Sequence, residues 1–234
     1  MSQSDPAPTA RSVETLKWPS YVGLALAMGW PFAFLALGHA GVAHLADRSL
    51  DVNVLIREWS VSAVLVAIIV FGERLTLASV GLKMPRLADV AYLFLAIVVT
   101  FIGNGIAFAI GAALSGGAAS PPAALASLLS IPLVLRVAMA LTAGICEEFM
   151  SRGYAIERLT ALTGNRFIGA AVPCILFTLG HIRLYGFGVG LLPVLASAIV
   201  MTILYVWRRN VVVNMAAHAL IDLYGLLVQP LHNH

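Results

Sequence analysis

Hydrophobic positions in this chain fall into long runs, and polar positions gather in the short gaps between them. Runs of about 17–25 apolar residues are long enough to cross a bilayer as helices. They can be drawn at 21–46, 54–72, 90–114, 131–154, 167–185, 188–207 and 211–228, with Arg57 and Glu58 interrupting the start of the second. Helices are expected throughout, because an open-edged sheet would leave backbone groups unsatisfied in lipid. The pattern predicts an all-α, multi-pass transmembrane helical bundle of about seven spans. Ahead of the first run, "MSQSDPAPTARSVETLKWPS" is polar and Pro/Ser-rich and reads as a disordered tail over 1–20. It lacks the short apolar core and cleavage site of a removable signal peptide. The Gly/Pro-rich "SGGAASPP" at 115–122 is a loop signal. It divides N-terminal transmembrane helices at 21–114 from a C-terminal unit at 122–228. No repeat of fixed period is visible.

Composition turns that pattern into a statement about solvent. Of 234 residues, 60% are hydrophobic and 11% charged, with a mean hydropathy of +0.93. Soluble domains carry roughly 25% charged residues, so the chain's main solvent is the lipid bilayer. Positive charge then sets orientation. Arg11, Lys17, Arg74, Lys83, Arg86, Arg158, Arg166, Arg208 and Arg209 all fall on one side if the spans alternate; Arg48, Arg57, Arg136 and Arg183 lie near the other. The positive-inside rule makes the N-terminus cytoplasmic and the C-terminus external. No basic stripe suggests a nucleic-acid partner.

Three apolar runs carry ionisable groups. In "GICEEFMSRGY" (144–154), Glu148 and Arg152 are i and i+4 and share a helical face. Glu147 is turned about 100° away, so it must find its partner on another helix. A structural ion pair explains Glu148 and Arg152; it explains Glu147 poorly, since an unpaired acid in a span costs about 2.5–3.5 kcal/mol. In "LFTLGHIRLYG" (176–186), Phe177 precedes His181 by four residues and can wall it from water. His181 alone would more often be a hydrogen-bonded interfacial histidine. In "VVNMAAHALIDLYG" (212–225), Asn214, His218 and Asp222 recur every fourth residue and line one stripe. Asp222 can hold His218 in one tautomer, whereas Asn214 also suits a polar contact between helices. Two histidines and a carboxylate could bind zinc with an open position. Alternatively, Glu147 and His181 could activate water directly, with His218 and Asp222 or Asn214 stabilising an oxyanion.

The three motifs together resemble the CPBP family of intramembrane proteases, which includes type II CAAX prenyl endopeptidases and lysostaphin-resistance-type proteins. Glu147-Glu148 to Arg152 matches its "EExxxR", Phe177 to His181 its "FxxxH", and His218 to Asp222 its "HxxxN/D". The resemblance spans about 122–228 and implies hydrolysis of a peptide bond in a membrane-associated or lipidated peptide or protein. It implies Glu147 and His181 as the water-activating pair, Glu148 braced by Arg152, and His218 with Asp222 at the oxyanion. Members are described both as zinc metalloproteases and as metal-free glutamate proteases. This chain lacks the "HExxH" helix that favours zinc, so the metal is left open, with the glutamate mechanism expected. Ser151 stands where many members have an aromatic residue. Asp222 stands where others have asparagine, and an ionised aspartate cannot donate a hydrogen bond.

Other features are weaker. Cys146 and Cys174 suit small buried hydrophobes; Cys146 as a nucleophile would need a neighbouring cation. His39 and His44 point roughly 140° apart on a helix and cannot easily share an ion. "GFGVG" (186–190) is a turn without the lysine of a phosphate loop, and "HNH" (232–234) is a terminal tail. Two other function classes stand beside the endopeptidase: a non-proteolytic membrane adaptor or regulator on the same fold, and a proton-coupled transporter. The latter would predict broken helices in repeated halves.

Overall fold

The structure, a computed structural model, describes residues 10–39, 49–116, 128 and 130–228. Among these, every regular element is helical: α1 (Ala10–His39), α2 (Ser49–Ala67), α3 (Leu87–Leu114), α4 (Leu133–Thr142), α5 (Glu157–Thr163), α6 (Arg166–Gly180), α7 (Ile182–Tyr185), α8 (Leu192–Arg208) and α9 (Val211–Leu223). Turns of π-helix prolong α2 at Ile68–Gly72 and α9 at Tyr224–Val228, and two more, Ala143–Glu147 and Phe149–Ile156, join α4 to α5. The first acidic motif thus sits in i→i+5 geometry, a wider turn that recurs at functional sites.

Among the described residues, three stretches are long and apolar enough to cross a membrane: Val52–Gly72, Leu87–Leu114 and Val189–Arg208. Arg166–Gly180 and Val211–Leu227 are shorter apolar helices. The all-helical class agrees with the expectation, and three of the seven drawn runs meet the length and composition of a span. The run at 167–185 breaks at His181, which is a correction with a local cause. The ring Nδ1 of His181 donates to the Phe177 carbonyl at 2.8 Å, the acceptor that a continuing helix would offer to the His181 N–H. That N–H turns instead to the Thr178 carbonyl at 3.1 Å. At the other end of the chain, α1 starts at Ala10, so residues 10–20 are helical rather than part of a tail. Arg11, Glu14, Leu16 and Lys17 are good helix formers. Residues 1–9, His44 and His232–His234 lie outside the described residues, as does the side chain of His39.

Among the described residues, three buried clusters hold the bundle together, the smallest made by Ile156, Tyr205 and Val211. Leu24 and Ala27 of α1 and Leu65 and Ile69 from α2 pack on Cys146, Phe149, Met150 and Tyr154 of the π-helical segment. Ala96 of α3, Met201 and Leu204 of α8, and Val213 and Ala217 of α9 form the second. Phe94, Val98, Ile102, Ile106 and Phe108 leave α3 with an exposed apolar face, as expected of a helix against lipid. Ion pairs clamp one end of the bundle: Arg158 with Glu73 at 2.7 Å, Arg208 with Asp89 at 2.7 Å, and Arg209 with Glu157. Ser20 and Tyr154 also donate to Glu73, at 2.7 and 2.8 Å. These carboxylates join the arginine-rich ends of α1, α2, α3, α5 and α8.

Gly144 sets how closely the acidic segment meets α9. A Cβ there would stand 2.7 Å from both Cβ and N of Ala219, so a methyl group could enter only by moving backbone. Gly144→Ala is expected to destabilise the protein by about 1–3 kcal/mol, the usual range for overpacking. A lowered unfolding temperature in detergent would show it; an unchanged one would mean the helices separate at no cost.

Candidate active site

The two acids of the first motif go to different places. Glu148 is fully buried, and three side chains engage its carboxylate. Arg152 Nη1 and His218 Nδ1 each lie 2.8 Å from Oε1, and Asn214 Nδ2 donates to Oε2 at 3.2 Å. Arg152 also donates to the Ala198 carbonyl at 3.3 Å, and its guanidinium stacks 4.1 Å from the centre of the Phe177 ring. Asn214 donates a further bond to the Met201 carbonyl at 2.8 Å. Glu148 therefore ties the π-helical segment to α9, while its arginine partner reaches α6 and α8.

Glu147 faces the other way, into a cavity of about 780 Å³. His181 Nε2 stands 3.9 Å from Glu147 Oε2, too far for a direct hydrogen bond. That oxygen is buried and has no hydrogen-bond partner. Since His181 Nδ1 donates to the Phe177 carbonyl, Nε2 of the neutral ring carries its lone pair toward Glu147. Phe177 packs 4.7 Å from the His181 ring, centre to centre, and 6.2 Å from that of His218. The ring thus walls both histidines, as its spacing to His181 suggested.

Glu147, Phe177, His181, His218 and Asp222 all line the cavity; Glu148, Arg152 and Asn214 do not. One expectation changes. Asp222 was the expected anchor of His218, but its Oδ2 is 3.5 Å from Nε2, whereas Glu148 holds Nδ1 at 2.8 Å. The tautomer of His218 is therefore set from behind by Glu148, a contact between helices that no single stripe can reveal. Asn214, a second candidate for the oxyanion, points at Glu148 instead of the cavity. Cys146 and Cys174 are buried and unpaired, and neither lines the cavity.

Glu58 was legible only as a charge interrupting a span. It is 4% exposed, lines the same cavity, and leaves Oε2 without a hydrogen-bond partner. It also lies within electrostatic reach of Glu147, His218 and Asp222. An intramembrane acid marks a functional position by default, and that signal was available in the sequence. Among the described residues, no three His, Cys, Asp or Glu side chains are arranged to hold one metal ion. His218 in particular has Nδ1 engaged by Glu148 and Nε2 facing Asp222.

Three motifs on three helices thus converge on one cavity wall, and a comparison with known families bears on what they are. Residues 128–224 match the family model for type II CAAX prenyl endopeptidases of the Rce1-like kind. This segment is similar to the CPBP family that the three motifs resemble. No curated protein and no solved structure matches the chain. The matched segment contains all eight residues of the three motifs and the stripe, from Glu147 to Asp222; Glu58 lies outside it. With its apolar helices, the chain is an integral membrane protein.

Proposed function

We propose that this protein is an intramembrane endopeptidase in which Glu147 and His181 activate the attacking water. One observation carries the reading: a buried Glu147 oxygen without a hydrogen-bond partner faces the lone pair of His181 Nε2 across 3.9 Å inside a cavity. A water placed between them donates one hydrogen to each and turns an oxygen lone pair toward a scissile carbonyl. Glu147 takes the proton as the C–O bond forms. His218 gives its Nδ1–H to Glu148 and turns Nε2 to the cavity beside Asp222; as the imidazolium, with Asp222 and Glu148 as its counter-charges, it donates from Nε2 to the oxyanion. Glu148 and Arg152 position His218 and touch no reacting atom. We route no step through a metal: among the described residues no three His, Cys, Asp or Glu side chains are grouped to hold one ion, and loss of activity with chelator would overturn that choice.

The family match supports a substrate of the CAAX kind, a lipidated peptide near a chain end. Trp30, Phe101, Phe108 and Tyr185 give the cavity aromatic walls for an apolar chain. The test is cleavage of a membrane-peptide library by purified protein beside Glu147→Gln and His181→Ala, with and without chelator. Equal cutting by variants and wild type would leave a non-proteolytic adaptor on the same fold.

The cavity also has a side. Its lining comes from the end of α1, the start of α2, the second half of α3, the start of α8 and the end of α9. The clamped arginine-rich ends are the opposite ends of these helices. If the positive-inside rule orients the chain, the site lies toward the non-cytoplasmic face. Ser115→Cys, at the end of α3 nearer the cavity, should react with an impermeant thiol reagent on intact cells, and Lys83→Cys only after permeabilisation. The reverse pattern would put the cavity on the cytoplasmic side.

A further inference from the structure

We propose that Glu58 is a second catalytic carboxyl, the acid that protonates the departing amine. The inference rests on the protease reading and adds a residue from outside the matched segment. Peptide hydrolysis needs two proton movements: one off the water as it attacks, one onto nitrogen as the C–N bond breaks. Glu147 and His181 account for the first. The other ionisable groups of the motifs are committed. Glu148 is off the cavity and bound by Arg152, His218 and Asn214. Asp222 faces His218 at 3.5 Å, and His181 gives its Nδ1 proton to the Phe177 carbonyl. Glu58 differs from all of these. Its carboxyl is buried, lines the cavity that Glu147 lines, and keeps one oxygen without a hydrogen-bond partner.

α2 can hold it there because the helix is fastened on both flanks. One residue on, Trp59 Nε1 donates to Thr142 Oγ1 of α4 at 3.1 Å; two turns on, Leu65 is buried in the core with Cys146 and Met150. Two carboxyls on one cavity can divide their work, one as base and the other as acid. Water oxygen bonds to the carbonyl carbon, its proton passes to Glu147, and the carbonyl pair moves onto oxygen. The carbonyl then re-forms, the C–N bond breaks with its pair on nitrogen, and nitrogen takes the proton from Glu58. The proton on Glu147 returns to Glu58 through solvent, so the site is restored.

The discriminating experiment uses the full-length protein and two probes, a peptide cut from the library and the same peptide with an ester at the scissile bond. An alkoxide leaves with far less help from an acid than an amine does. Glu58→Gln should lower kcat/KM on the amide by about 10²–10⁴-fold and on the ester by less than about tenfold. The retained ester activity would also show that the variant folds. Glu58→Asp, which keeps an acid, should recover part of the amide activity. Equal losses on both probes, or no loss on the amide, would overturn the proposal. Failure of the protease reading looks different: Glu147→Gln would then cut as well as wild type, and the role of Glu58 would fall with it.

Discussion

Glu147→Gln is expected to lower kcat by about 10²–10⁴-fold, the range for loss of a general base, with KM little changed. The glutamine keeps the shape of the side chain but cannot accept the water's proton. His181→Ala should cost a similar factor, because it removes the second group that orients the water. Their effects should not multiply. Residues that act on one water behave as a unit, so the double variant should be about as slow as the worse single one. Turnover of the library peptide by the three variants decides it. Multiplying losses would show that the two side chains act on separate steps, and the 3.9 Å approach would then have another meaning. A KM effect without a kcat effect would make Glu147 a substrate contact.

Much of this site is legible in the amino-acid sequence because a helix converts spacing into direction. Glu148 and Arg152, Phe177 and His181, and His218 and Asp222 are each four apart, and each pair does meet. The divergence of Glu147 from Glu148 follows from the same geometry. What spacing cannot supply is the pairing between helices. The bond from His218 to Glu148 joins residues seventy apart, and Ser20, Tyr154 and Arg158 meet at Glu73 across comparable distances in the chain. Hydropathy fails in a different way at His181. Ile182, Leu184 and Tyr185 continue the apolar run, while the ring of His181 takes the carbonyl that would have continued the helix. A window that sums side chains over about 20 residues cannot detect one diverted hydrogen bond. Glu58 is visible too, but it reads as a flaw in a span until the neighbouring helix places Glu147 on the same cavity.

Arg152→Met is expected to destabilise the protein by about 3–5 kcal/mol, the cost of leaving a buried charge without its partner. For a chain of this size that is a fall of roughly 6–20 °C in Tm. The arginine is 1% exposed and its partner Glu148 fully buried, so solvent can screen little of the loss. Three contacts go together: the 2.8 Å bond to Glu148, the 3.3 Å bond to the Ala198 carbonyl and the stack on Phe177. Arg152→Lys should recover only part of the stability, because an ammonium group cannot fork between Glu148 and α8 while lying flat on a ring. The informative variant is Arg152→Met combined with Glu148→Gln. Removing both charges relieves the buried carboxylate, so the double variant should be more stable than Arg152→Met alone, a coupling that a double-mutant cycle measures. Its activity should stay low all the same, because His218 Nδ1 then faces a neutral amide in place of a carboxylate. Stability regained without activity would show that the pair serves catalysis by orienting His218. Activity regained with stability would reduce Glu148 and Arg152 to a structural brace.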